Sequence, residues 1–171
     1  MSGADLLETP LGALRVGAVP SFLHLTESAH AHAREHSLEV QLPFLREVLG
    51  PVEVIPLLVG EAEPAEVAAV IDALWGGEET LVAISSDLSH YLEYDEACAT
   101  DRVSANRIRA LSPLLSHEDA CGALPIDGLL LAARRRSMRV EELDLRNSGD
   151  TGGSMDRVVG YGAFAFHEED R

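Results

Sequence analysis

Leu81-Val82-Ala83-Ile84-Ser85-Ser86-Asp87-Leu88-Ser89-His90-Tyr91 is the stretch on which the fold turns. Its first four residues are apolar and too few for a helix, which predicts a short strand buried on both faces. That strand runs into a polar turn carrying Ser85, Ser86, Asp87 and His90. Upstream, the apolar run from Val52 to Val59, bounded by Pro51 and Gly60, predicts another buried strand. Between them, Pro64 to Trp75 has helical spacing, with Pro64 near a first-turn position where its missing N–H costs nothing.

Working outward, residues 94–111 and Pro125 to Arg136 read as helices. Arg134, Arg135 and Arg136 complement the negative end of the second one. Val140–Leu145 and Val158–Phe166 read as strands around the glycine-rich loop Asn147–Ser154, best taken as a flexible pocket rim. Towards the N-terminus, Glu8 to Val16 reads as a turn and a short strand, and residues 20–28 as a short helix. Leu38, Leu42, Leu45 and Leu49 give Ala33–Leu49 a helical period that Pro43 should kink or split. Strands alternating with helices predict one α/β domain over residues 1–171, a mostly parallel sheet with helices on both faces.

Composition narrows the function classes. The chain has 171 residues, 46% hydrophobic and 25% charged, and a net charge of −16. It contains no lysine, so all 13 basic residues are arginine, and Schiff-base and P-loop lysine chemistry are excluded within it. So acidic a surface repels phosphate backbones and anionic lipid, which argues against nucleic-acid and membrane partners. No apolar run reaches the roughly 20 residues that span a bilayer, and the start at Met1 has no basic, apolar leader pattern. A cytoplasmic protein is expected. Two cysteines, Cys98 and Cys121, make no disulfide framework.

Chemistry-bearing residues gather in few places. Ligands of open α/β sheets bind beyond the carboxyl ends of strands, and Asp87 and His90 sit there as candidate proton-transfer groups or ligands. Ser-Ser-Asp before a helix is equally a normal N-cap. Cys121, in Asp119-Ala120-Cys121-Gly122-Ala123-Leu124-Pro125, lies just before a helix whose positive end favours a thiolate, the form that binds metal or attacks. Gly122 permits close packing around it. Cys98 has no such setting and reads as a small apolar residue. His32 and His36 are four apart, a zinc-compatible spacing on a helix, but the glutamate of a His-Glu-x-x-His motif does not follow His32. Asn147–Ser154 leads into a strand rather than a helix, which disfavours a phosphate cradle. No Gly-x-Ser-x-Gly elbow occurs.

The order of these motifs carries more than each alone. Glu35-His36-Ser37-Leu38-Glu39-Val40-Gln41-Leu42-Pro43-Phe44-Leu45, then Ser85 to Tyr91, Cys121-Gly122 with Pro125-Ile126, Ser148-Gly149-Asp150 and Val158-Val159-Gly160-Tyr161 resemble the successive motifs of the MEMO family, also called AmmeMemoRadiSam system protein B. Thr9-Pro10-Leu11-Gly12 is similar to a further landmark of that family. The resemblance implies a fold like the class III extradiol dioxygenases (LigB-like) and a metal pocket of two histidines and a cysteine. Carried over by motif, His36 and Cys121 would be ligands and Asp87 and His90 would lie at the pocket wall, with His90, or His30 or His32, substituting for a missing ligand histidine. Thiolate beside imidazole suits iron or copper, with zinc chemically allowed. Implied activity is redox or oxygen chemistry on a small molecule; the alternative is a non-catalytic binding or scaffold protein.

Full-length members carry a His-Ala-Gly-Tyr segment and a Gly-Pro-x-His strand before Thr-Pro-Leu-Gly. With Thr9 so close to Met1, the chain is expected to match the C-terminal two-thirds of the family domain, without its first strands and one ligand histidine. A truncated gene model, half of a split protein and a degenerate member are the three explanations. Exposed apolar edges, and with them a protein partner or homo-oligomer, are expected.

Overall fold

A computed structural model describes residues 3–113 and 115–168. The chain divides after Gly60 into two units, Met1–Gly60 and Glu61–Arg171, each built from its own elements.

In the first unit, β1 (Leu6–Leu7) pairs antiparallel with β2 (Leu14–Val16), and β2 pairs parallel with β3 (Glu53–Val54). Thr9 builds the turn between β1 and β2: its hydroxyl donates to Gly12 O at 2.7 Å and accepts from Leu11 N–H at 3.1 Å. Gly12 stands at φ 114°, a backbone region in which a Cβ would be strained. Helix α1 is a single turn, Ala29–His32, capped by Ser28 Oγ accepting from Ala31 N–H at 3.2 Å. Helix α2 is Leu42–Leu49, with Pro43 in its first turn and Gly50 at φ 78° after its end.

Three sequence expectations change here, the first being the strand expected over Val52–Val59, which shrinks to Glu53–Val54. Residues 20–28 form no helix; the turn of helix comes at Ala29 instead. The helix expected from Ala33 begins only at Leu42, so Pro43 initiates a helix rather than kinking one. The reason is steric: the ring excludes the carbonyl four residues back from a continuous helix, whereas at a first-turn position it costs nothing.

The second unit begins with α3 (Pro64–Leu74), opened by a reciprocal cap in which Glu63 N–H donates to Glu66 Oε2 at 2.8 Å. Helices α4 (Tyr94–Arg109) and α5 (Ala123–Arg135) follow, then β5 (Arg139–Asn147) and β6 (Val158–His167). A short strand, β4 (His90–Leu92), completes a sheet of order β4-β6-β5 in which every pairing is antiparallel. Helix α5 is the centre of this unit, with Leu130, Ala132 and Ala133 fully buried. One side meets Leu88, Ile108 and Ala120; another meets Val67 and Ile71 of α3. Gly128 permits that helix pair to close, because a Cβ there would lie 2.4 Å from Val67 Cγ1. Past the α5 end, Arg135 and Arg136 both bind the Asp72 carboxylate, and the Arg136 guanidinium stacks 4.0 Å over the Trp75 ring.

The mixed α/β class holds, but the sheet expected to be mostly parallel is not: among the described residues only the β2–β3 pairing is parallel. Val140–Leu145 and Val158–Phe166 were close enough in sequence to fold back as a hairpin, the connection that antiparallel pairs allow. Leu81–Ile84 forms no strand either. Composition makes a segment strand-competent, but a ladder partner makes it a strand, and none of the described strands pairs with it. The loop Asn147–Ser154 holds a 3-10 turn over Ser148–Thr151. Asn147 caps it, accepting from Gly149 N–H at 2.9 Å, while Asp150 Oδ2 accepts from Asn147 N–H at 2.8 Å. Among the described residues no helix is long and apolar enough to cross a membrane.

Candidate metal centre

Cys121 precedes Gly122, the N-cap of α5, as the position of Pro125 implied. Its sulfur faces the Ser85–His90 turn: Asp87 N–H donates to Sγ at 3.3 Å, and Ser86 Oγ lies 3.5 Å from it. The two segments are pinned by Gly122 N–H donating to Ser86 Oγ at 2.8 Å. They approach so closely that a Cβ on Gly122 would stand 2.7 Å from Ser86 Cβ and 3.3 Å from Ser85 O. Glycine is therefore a steric requirement of the site at this position.

On the same turn, His90 Nε2 lies 3.6 Å from Asp87 Oδ2, a contact longer than a hydrogen bond, with the imidazole 30% and the carboxylate 47% exposed. Potential ligand atoms of Asp87, His90 and Cys121 all lie within 4.8 Å of one another. Ligand atoms sharing one tetrahedral ion at 2.0–2.3 Å stand about 3.3–3.8 Å apart, so the set is at most about 1–1.5 Å wider than a bound ion would hold it. Thiolate, imidazole and carboxylate together fit a borderline transition ion better than a hard one such as magnesium.

The turn is held from behind by residues that sequence reasoning did not single out. Ser89 N–H donates to Asp101 Oδ1 of α4 at 2.9 Å, and both residues are buried. Burial pushes the Asp101 carboxyl up from its ordinary value, against the hydrogen bond from Ser89. Leu88 N–H donates to Gly160 O and Gly160 N–H to Ser89 O, each at 2.8 Å, and a Cβ on Gly160 would lie 2.0 Å from Asp101 Oδ2. The available signal was an acid at helical spacing with Ala97, Ala105 and Ile108, on the apolar face of α4. Between His90 and Leu92 the β4–β6 register shifts, and Tyr91 takes φ 60° with Arg157 stacked 5.0 Å over its ring. This bulge turns the chain immediately after His90.

The structure thus brings Asp87, His90 and Cys121 together. His36 lies in the first unit, between α1 and α2, where Glu35 Oε1 accepts from both His36 N–H at 2.8 Å and Ser37 N–H at 2.7 Å. Those bonds hold the Glu35 carboxyl below its ordinary range. His32 ends α1 and His36 follows outside any helix, so the two do not share a helical face as their spacing suggested. Cys98 is exposed on α4 rather than packed as an apolar residue, and its sulfur accepts from Asn147 Nδ2 at 3.4 Å. Asn147 and Asp150 border a surface groove with Tyr94 and Arg102, and none of Asp87, His90 and Cys121 lines it.

A mixed α/β chain with a cysteine, a histidine and an aspartate converging at a helix N-terminus is the class that emerges from this geometry. The family model for Memo-like proteins matches residues 1–165, and the chain belongs to that family. It is 30% identical to a MEMO1 family protein of Metallosphaera sedula, over 94% of this chain and 64% of that relative. Against relatives of the same name from Desulfurococcus amylolyticus and Sulfolobus acidocaldarius it is 31% identical, over 94% and 90% of this chain and 63% and 61% of theirs. The chain spans less than two thirds of the length of these relatives.

Proposed function

We propose that this Memo-like protein binds iron or copper, with zinc a weaker alternative, through Cys121 and His90 and with Asp87 completing the set. The observation that carries this reading is the convergence of these three ligand types on one niche at the start of α5. A bound redox ion would supply Lewis acidity and electron transfer towards oxygen or a small molecule, the chemistry of the class III extradiol dioxygenases that the family resemblance implies. Within the chain, Cys121 would supply negative charge, the Asp87 N–H donates to its sulfur, and His90 or Asp87, whichever the ion leaves free, would move protons. The role that the resemblance assigns to His36 belongs to the same proposal.

A second reading, a binding or scaffold protein without activity, draws support from the apolar side chains on α2. Phe44 is 71% and Val48 79% exposed, as expected of a surface that meets a protein partner or another copy. Metal analysis of the purified protein separates the two. Stoichiometric iron or copper, lost in Cys121→Ser and reduced in His90→Ala, supports the metal centre; metal-free wild-type protein that takes up none on titration refutes it. His36→Ala in the same titration tests the ligand role that the resemblance gives to His36.

A further inference from the structure

The Ser86 hydroxyl has one proton and several suitors. At present that proton goes to Asp87 O, 2.6 Å away, while the oxygen accepts from Gly122 N–H at 2.8 Å. Cys121 Sγ lies at 3.5 Å, within reach of the same hydroxyl by rotation about one bond. A thiol needs no donor; its own proton finds Asp87 O at 3.8 Å or Ser86 Oγ. A thiolate has no proton to give and wants donors. The Asp87 N–H at 3.3 Å is fixed in place, and the Ser86 hydroxyl is the adjustable second one.

We infer that Ser86 is a positioning residue of the metal centre: its oxygen locks the Cys121–Gly122 segment to the ligand-bearing turn, and its hydroxyl proton swings to the sulfur when the thiolate binds an ion. This rests on the metal reading above and names a residue that reading does not use. Two observations converge on it. Ser86 hydrogen-bonds across both segments. The steric demand for glycine at position 122 is set by the Ser86 side chain itself, at 2.7 and 2.8 Å. Groups that hydrogen-bond a metal ligand set its orientation and basicity, and their loss typically costs 10–100-fold in affinity.

The test is titration with cobalt(II), a spectroscopic stand-in whose thiolate charge-transfer band reports on the sulfur. Wild type should bind with a band absent from Cys121→Ser. Ser86→Ala should bind about 10–100-fold more weakly. At saturation its band should lie at longer wavelength, because a sulfur relieved of a hydrogen bond gives up electron density more readily. A purely structural role would weaken binding without moving the band, and an unmoved band with wild-type affinity overturns the inference while leaving the metal centre standing. Wild-type protein showing no band overturns both. Should Ser86→Ala fail to fold, Ser86→Thr retains the hydroxyl: a band at the wild-type position supports the role, and one displaced to longer wavelength overturns it.

Discussion

Replacing Gly122 by alanine probes the seam between α5 and the ligand-bearing turn. The added Cβ meets Ser86 Cβ at 2.7 Å, Ser86 Oγ at 2.8 Å and Ser85 O at 3.3 Å. Two of these atoms are a Cβ and a backbone oxygen, which cannot rotate away, so one segment must shift. Gly122 has φ −96°, a value alanine adopts freely, and the backbone conformation itself adds no strain. Overpacking of this kind costs about 1–3 kcal/mol. Against it stands ~0.4–1 kcal/mol gained because alanine stiffens the unfolded chain. Taken at the midpoints of the two ranges, the balance is a loss of about 1.3 kcal/mol, a fall in Tm of roughly 3–5 °C at this chain length. Urea and thermal denaturation measure it, with Gly60→Ala as control: nothing lies within 4 Å of a Cβ there, and that variant should match or slightly exceed wild type. Cobalt affinity should fall with Gly122→Ala, since the sulfur is carried off with its segment. A Gly122→Ala protein as stable as wild type, with unchanged affinity, would refute the account of the seam.

Two further expectations follow from the packing and electrostatics. Leu130 is fully buried at the centre of the second unit, so Leu130→Ala should cost about 2–5 kcal/mol in urea denaturation; a loss below about 1 kcal/mol would mean the core lies elsewhere. Tyr94 donates to Asp150 Oδ1 at 2.7 Å, and the bond to that carboxylate pushes the phenol up to about 12 while holding Asp150 below its ordinary range. A phenol raised in the folded state contributes stability that is complete below its unfolded value of about 10 and is lost as pH climbs through the folded one. The depressed Asp150 behaves oppositely: its contribution is present above the unfolded carboxylate value and disappears as pH falls through the folded one. Ultraviolet titration should show one tyrosine ionising late, restored to about 10 in Asp150→Asn.

Helices α3, α4 and α5 were legible because each combines an apolar period with local stop and start signals, Pro64 and Pro125 among them. Their physics is local. The β5–β6 hairpin was legible as two strands but not as an antiparallel pair, since pairing direction depends on where the chain returns. Leu81–Ile84 misled for the same reason, its strand-like composition saying nothing of a neighbour. At the candidate metal centre, Asp87, His90 and Cys121 were named from residue type and from their places after an apolar run and before a helix. Ser86 was named only as one of the reactive types in that turn, and Asp101 was not named at all. Gly122 announced that something approaches closely, but the identity of the approaching group is a tertiary fact. Asp101 showed only as a charge on an otherwise apolar helix face.

The left-handed backbone at Tyr91 bears on any attempt to make this protein hardier. A bulky residue at φ 60° holds strain of order 1–3 kcal/mol, and a glycine there would release it. Yet the bulge at that position sets the direction in which the preceding imidazole leaves the strand. Screens that select for heat tolerance alone would therefore be drawn to position 91 and, in relaxing it, would blunt the histidine beside it.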